Sequence, residues 1–372
     1  MLIGILKEIK VAENRVSMTP AGVEVMVHHK HEVLVEKDAG IGSGFSNEAY
    51  KKAGATLVKT VPEVYAAADM VMHVKEPQPS EYALIRENQI IFTYLHLAAD
   101  KKLTKALIKA GSVNIAYETI QKADHSLPLL IPMSEIAGRM AVQEGAKYLE
   151  MPQGGRGILL GGVPGVIPGT VVIIGGGIVG ITAAKIACGL GAMVYLLDTN
   201  LDRLRYLSEV MPGNCVTVMG SLPTLRSLLK EADLVIGAVL IPGAKAPKLI
   251  TRSMLKGMRP GTVLVDVAID QGGCFETSRP TTHTQPTFEV DGIIHYCVAN
   301  MPGAVPKTST LALTNSTLPY ALAIAEKGWQ AACRENHEIA AGINVVQGKV
   351  TCRGVADAFG MQYVPVGSLL GQ

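Results

Sequence analysis

Short apolar runs, separated by longer stretches of helix-compatible pattern, set the rhythm of this chain. Up to residue 120 the runs are Leu2 to Leu6, Val33 to Val35, Met70 to Val74, Ile90 to Leu95 and Val113 to Ala116. Runs of this length, rich in β-branched residues and bounded by turn formers, predict strands, and their alternation with helices predicts βαβ units around a parallel sheet. A second series starts at Val171 and continues through Met193 to Leu197, Leu234 to Val239, Thr262 to Val267 and Ile294 to Val298. The glycine-rich stretches at 153–157 and 161–165 separate the two series and read as turns. Leu311 to Ala341, alanine-rich and helical in period, brings no new strand rhythm and is expected to return to the first domain.

Residues 171–198, VVIIGGGIVGITAAKIACGLGAMVYLLD, add chemistry to this pattern. Gly-x-Gly-x-x-Gly alone is a weak signal in a chain with 39 glycines among 372 residues, so its context decides. Here an apolar strand precedes the glycines, a helix follows, and a second strand ends at Asp198. In that order Gly175 makes the tight turn, Gly177 lets backbone approach a pyrophosphate, and Gly180 allows close helix–sheet packing. The phosphates then rest on the helix N-terminus. A carboxylate at Asp198 accepts ribose hydroxyls and repels a 2′-phosphate, so NAD is expected over NADP; Arg203 reads either as a phosphate acceptor or as a solvated helix cation. The expected fold class is therefore α/β: two Rossmann-like domains with parallel sheets, the dinucleotide-binding domain inserted into a discontinuous substrate domain. The expected bounds are 1–128 plus 307–372 for the substrate domain and 129–306 for the NAD-binding domain.

Composition narrows the class. A 48% hydrophobic content raises a membrane question only at 157–184, which has no charge, and there nine glycines with Pro164 and Pro168 would break a spanning helix. No secretory signal opens the chain, so a cytoplasmic protein is expected. Cys188, Cys215, Cys274, Cys297, Cys333 and Cys352 form no C-x-x-C pair, so no metal site is expected and the thiols read as reduced, buried small hydrophobes. A formal charge of +2 without a basic run leaves no footprint for nucleic acid.

Ligands of open parallel sheets sit beyond the carboxyl ends of the strands, which singles out polar residues directly after the apolar runs. Lys75, His96, Asp198 and Asp270 qualify. Arg15 joins them from the loop ahead of Thr19-Pro20, an N-cap and first-turn pair. An amino-acid dehydrogenase needs a cation for the substrate carboxylate, a donor to the carbonyl and a proton carrier. Arg15, Lys75 and His96 supply these, with Asp270 as base or as support for the histidine. His73 lies within a strand and reads as a satisfied core histidine, His31 as part of a solvated helix end, and Asp266 competes with Asp270 on position alone.

At these residues the chain resembles the alanine dehydrogenase family. The resemblance rests on GILKEIKVAENRVSMTPAGV near the N-terminus, VKEP at 74–77, FTYLHLA at 92–98, SEIAGRMA at 134–141, QGGRG at 153–157, DLVIGAVLIPGAKAPKL at 233–249, DVAIDQGGCFETSRPTT at 266–282 and YCVANMPGAVPKTST at 296–310. It covers essentially the whole chain; transhydrogenase NAD subunits and saccharopine-forming reductases share parts of it. It implies reversible NAD-dependent deamination of L-alanine to pyruvate and ammonia by a cytoplasmic homohexamer with no membrane partner. Residue by residue it implies His96 and Asp270 as the catalytic pair, preferred over His73 and Asp266, and Arg15 and Lys75 as substrate contacts. Ser134, Ile178, Val179, Asp198, Arg203, Val239, Leu240, Val267, Asp270, Arg279, Val298, Asn300 and Met301 are implied as cofactor contacts. Where family members often carry a serine near the adenosine this chain has Gly220, with Ser221 as the substitute.

Overall fold

The structure is a computed structural model that describes residues 1–239 and 247–371. The chain forms two compact units, Met1–Met133 with Val305–Gln372, and Ser134–Ala304. Its strands are β1 (Leu2–Ile5), β2 (Glu32–Glu36), β3 (Thr56–Val58), β4 (Met70–Met72), β5 (Ile90–Thr93) and β6 (Val113–Ala116), then β7 (Thr170–Ile174), β8 (Met193–Asp198), β9 (Cys215–Met219), β10 (Leu234–Gly237), β11 (Val263–Asp266), β12 (Thr287–Val290) and β13 (Ile293–Tyr296), and last β14 (Ile343–Val346) and β15 (Lys349–Val350).

The first unit holds an eight-stranded sheet of order β15-β14-β6-β5-β4-β1-β2-β3. Strands β1 to β6 pair in parallel, with Ile3 opposite both Val33 and Met70. The chain starts in the middle of the sheet, builds outward through β2 and β3, and then restarts on the other side of β1 at β4. That reversal opens a crevice at the carboxyl ends of β1 and β4, because the loops leaving the two strands diverge. Strands β4, β5 and β6 are buried at every position, as expected where helices cover both faces of a parallel sheet.

The second unit repeats the plan in seven strands, β12-β13-β11-β10-β7-β8-β9. Here the reversal lies between β7 and β10, whose register sets Ile174 opposite Gly237. One core of this unit gathers Val172, Leu197, Val235, Leu264 and Phe275.

The architecture differs from an all-parallel expectation at its edges. Strand β14 runs antiparallel to β6, β15 to β14, and β12 to β13. Strands β3, β9 and β12 are half-exposed, so they lack the continuous apolar runs that announce buried parallel strands. Several apolar runs also end sooner as strands than as sequence: Val74, Leu95, Val239, Val267 and Val298 lie in the loops just beyond their strands. His31 is a correction, being 8% exposed with its Nδ1 3.3 Å from the N-terminal amine rather than at a solvated helix end. All six cysteines are free thiols, but Cys215 and Cys352 are only half-buried. Among the described residues no helix is long and apolar enough to cross a membrane.

Candidate active site

In the first unit, sheet order turns scattered sequence positions into one row. Glu8, Lys75, His96 and Glu118 follow the carboxyl ends of β1, β4, β5 and β6, which are consecutive in the sheet. Arg15 reaches this end from the loop between β1 and the helix Pro20–His28, whose start is fixed by Thr19 accepting from Gly22 N at 3.2 Å.

Arg15 is 2% exposed and fork-paired with Glu13, Nε donating to Oε1 at 2.7 Å and Nη2 to Oε2 at 2.6 Å. Its Nη1 lies 3.1 Å from the Met133 sulfur. Burial disfavours the charged Glu13, but the guanidinium wins and holds the carboxyl below its usual range; Glu13 in turn raises Arg15 against the same burial. Lys75 adds its field at Glu13, so the two cations share one neighbourhood. The lysine backbone is tied on both sides, its N–H to Glu8 Oε2 at 3.4 Å and its carbonyl to the Thr93 hydroxyl at 2.9 Å.

His96 is exposed and sits in left-handed backbone at φ 49 and ψ 38. The Glu118 carboxylate holds it there, accepting from His96 N at 2.6 Å and from Leu95 N at 3.1 Å. The imidazole stacks on Tyr94 with ring centroids 6.0 Å apart and 11° between planes. Tyr94 is itself anchored by its hydroxyl to the Leu129 carbonyl at 2.5 Å and lies within the field of Arg15. Arg15, Lys75 and His96 thus surround one strand-end crevice, with Glu13, Glu8 and Glu118 as supports that no local sequence pattern announced. His73, by contrast, is buried within an acidic pocket of its own.

The second unit carries the glycine fingerprint in the geometry a dinucleotide requires. Gly175 has φ +105, and a Cβ there would meet the Ala238 carbonyl oxygen at 2.8 Å and Val239 at 3.1 Å. At Gly180 a Cβ would lie 1.8 Å from the Gly175 oxygen, whereas at Gly177 it would meet nothing within 4 Å. Two glycines are therefore demanded by the protein, while Gly177 opens onto space at the start of the helix Ile178–Gly189, which has no side-chain cap. Those free N–H groups and that gap fit a pyrophosphate. Asp198 closes the loop, its Oδ2 accepting from Gly176 N at 2.7 Å, and Arg203 Nε donates to the Gly176 carbonyl at 2.6 Å.

The remaining candidates sort by strand end. Ile178 and Val179 open the fingerprint helix, and Ser134 lies on the helix Ile131–Tyr148, whose Gly138 packs on the Val179 carbonyl. Val267 and the exposed Asp270 follow β11; Val298, the left-handed Asn300 (φ 62) and the buried Met301 follow β13. Arg279 is placed differently, exposed and stacked over Phe288 at 4.4 Å. Leu240 lies outside the described residues. Asp266 is fully buried, with its oxygens taken by Ala268 N, Cys274 N, Phe275 N and the Ser278 hydroxyl, so it braces the loop that carries Asp270. Ser221 is committed as the N-cap of the helix Leu222–Leu229.

Known proteins match this arrangement over the full chain. The model of the alanine dehydrogenase/PNT N-terminal domain matches residues 4–137 and that of the C-terminal domain residues 141–353. An alanine dehydrogenase from Halomonas elongata is 55% identical over 371 residues, with 100% of both chains covered. A solved L-alanine dehydrogenase is similar at a TM-score of 0.94 and 50% identity, covering 97% of this chain and 99% of its own. A transhydrogenase from Sinorhizobium meliloti, at a TM-score of 0.82 and 23% identity over 95% of this chain and 99% of its own, shares the fold.

Proposed function

We propose, on the premise that this chain belongs to the alanine dehydrogenase/PNT family, that it catalyses the reversible NAD-dependent oxidative deamination of L-alanine to pyruvate and ammonia. The observation that carries the reading is the strand-end crevice of the first unit, where Arg15 and Lys75 supply cations for a 2-oxo acid beside an exposed histidine.

In this reading the second unit is the NAD-binding domain and the first the substrate domain. Gly175, Gly177, Gly180, Ile178 and Val179 hold the pyrophosphate, Asp198 takes the ribose hydroxyls, and Ser134, Arg203, Val239, Leu240, Val267, Asp270, Arg279, Val298, Asn300 and Met301 complete the cofactor's surroundings. Bound NAD supplies the acceptor for the hydride that leaves the alanine Cα. Arg15 and Lys75 do the binding: the Arg15 guanidinium meets the substrate carboxylate, and the Lys75 ammonium polarises the carbonyl oxygen. His96 moves protons, as base for the water that attacks the substrate iminium and as acid for the departing ammonia. Asp270 stabilises the positive charge that develops on the substrate nitrogen. The assembly is read as a cytoplasmic homohexamer. The exposed apolar side chains of Leu159, Val163, Val166 and Ile167, 54% to 90% accessible within one turn-rich stretch, support burial against other subunits.

The test is NADH appearance on adding L-alanine to the purified protein with NAD, against D-alanine, L-lysine and NADP. Turnover with L-alanine and NAD alone supports the whole assignment. Turnover with a larger amine and a 2-oxo acid instead would make the chain a condensing reductase, and NAD binding without turnover would make it a binding component only.

A further inference from the structure

His73 follows β4 just ahead of Lys75 and touches no group proposed to meet substrate, yet it is joined to them. Its ring, 2% exposed, has Nδ1 3.3 Å from Glu8 Oε1 and Nε2 3.4 Å from Glu81 Oε1, the second contact lacking hydrogen-bond alignment. The Tyr65 hydroxyl is 3.2 Å from the same Nε2. Both carboxylates are as buried as the ring, with side chains 4% and 2% exposed. A neutral imidazole would leave two carboxylates facing each other in a buried pocket, which is costly without a compensating charge. Among the described residues the titratable groups that act on the ring are Glu8, Glu36, Glu81 and Tyr65, and none of these four is a cation. Burial works against protonating the ring, but Glu8 and then Glu81 outweigh it and push its pKa up to about 10.

Glu8 carries this charge to the site. Its Oε1 accepts from Val74 N at 2.6 Å and its Oε2 from Lys75 N at 3.4 Å, and its field reaches Arg15. With His73 protonated, Arg15, Lys75, His73 and Lys7, which faces Glu36, balance Glu8, Glu13, Glu81 and Glu36. With His73 neutral, the same group is net negative where an anionic substrate must dock.

We propose that His73 is a positioning residue for the substrate site: as a cation clamped between Glu8 and Glu81 it fixes Glu8 on the amides of Val74 and Lys75 and keeps the surroundings of Arg15 and Lys75 from repelling a 2-oxo acid. The inference rests on the assignment of Arg15 and Lys75 to substrate binding made above.

Two variants of the full enzyme test it, His73→Gln, which keeps polarity and removes charge, and His73→Lys, which keeps charge. His73→Gln raises the KM for pyruvate about tenfold, the size expected for a unit charge roughly 10 Å away at an effective dielectric of about 20. Its kcat and its KM for NADH stay within about twofold, and His73→Lys restores the pyruvate KM. An unchanged KM in His73→Gln, or equal KM values in the two variants, overturns the proposal. A second measurement needs no variant: hydrogen–deuterium exchange at the histidine C2 position, followed by mass spectrometry of the wild-type peptide containing residue 73, titrates with a midpoint well above about 6.5. A midpoint at or below that value overturns the proposal even if His73→Gln does not fold. Absence of any pyruvate turnover in the wild type would instead remove the functional reading, while the exchange midpoint would still report the charge on His73.

Discussion

Removing the Glu118 carboxylate tests how the proposed proton carrier is held. His96 adopts φ 49 and ψ 38, a conformation that costs a non-glycine residue about 1 kcal/mol or more. Glu118 offsets that cost through its bonds to His96 N at 2.6 Å and to Leu95 N at 3.1 Å. A hydrogen bond to a charged group contributes about 1.5–3 kcal/mol when the site is dry. Glu118 is half-buried and water would replace part of what Ala removes, so a net loss of about 1.5–3 kcal/mol for the pair is expected. At about 1.4 kcal/mol per factor of ten, the equilibrium shifts roughly ten- to a hundredfold away from the competent conformer and toward unstrained backbone. An upper bound comes from the histidine itself, since losing a general acid–base group costs roughly 100- to 10,000-fold. Glu118→Ala should therefore lower kcat for pyruvate amination by roughly ten- to a hundredfold, less than His96→Ala does, with NADH affinity within about twofold. Glu118→Gln, which keeps one acceptor oxygen, should fall between. Steady-state kinetics, NADH fluorescence titration and a melting curve on each variant suffice. A Glu118→Ala enzyme with kcat within about threefold of wild type and an unchanged Tm would refute the reasoning.

Three further outcomes follow from the second unit. Gly177→Ala should leave the Tm of the ligand-free protein within about a degree while weakening NAD binding more than tenfold, because a Cβ there meets no protein atom but enters the space a pyrophosphate needs. Gly180→Ala, whose Cβ would lie 1.8 Å from the Gly175 oxygen, should lower both, by at least about 1–3 kcal/mol of stability; equal effects of the two substitutions would reject this division of roles. Asp198→Ser should raise the KM for NAD and open the enzyme to NADP, with Arg203 beside the vacated position; undetectable NADP turnover would count against Asp198 as the discriminator. Acid should weaken the second unit through His295, which is fully buried, 2.7 Å from the Thr277 hydroxyl and 3.0 Å from the Ile293 carbonyl, and held below its usual pKa by burial. The unfolded chain then takes the extra proton, so stability is lost as pH falls below about 6.5. Over the same window His73, with its pKa raised, adds stability as pH falls, so melting curves from pH 7.5 to 5.5 on the wild type and His295→Gln isolate the His295 part. The variant should lose less Tm, or gain more, toward acid than the wild type does, above the range in which Glu13 and Glu81 exchange protons; equal slopes would exclude His295 as a contributor.

What could be read from the sequence follows from what burial does to a strand. Strands β4, β5, β6, β10 and β11 are buried at each position and mostly apolar because both faces are covered. Such runs stand out, and the polar residues that end them, Lys75 and His96 among them, stand out with them. Strand β9 presents one half-exposed face after another and leaves no run to see. The four buried residues of β14 directly follow a helix and pair with β6 across the insertion of the whole second unit, so no local pattern joins them to it. The same distinction governs the site. A residue proposed to touch substrate must lie at a strand end, and that is a local property. The acids that hold these residues are chosen by sheet order: Glu118 lies 22 positions beyond His96, and Glu8 lies 66 positions before Val74. Once β6-β5-β4-β1 is known to be the order, those partners cease to be arbitrary, because each follows the carboxyl end of a strand in the same row and faces the backbone leaving a nearby one. Topology thus supplies the pairing that sequence withholds, and it also explains why Glu8 rather than a local acid sits between His73 and Lys75: β1 is the strand against which β4 is laid.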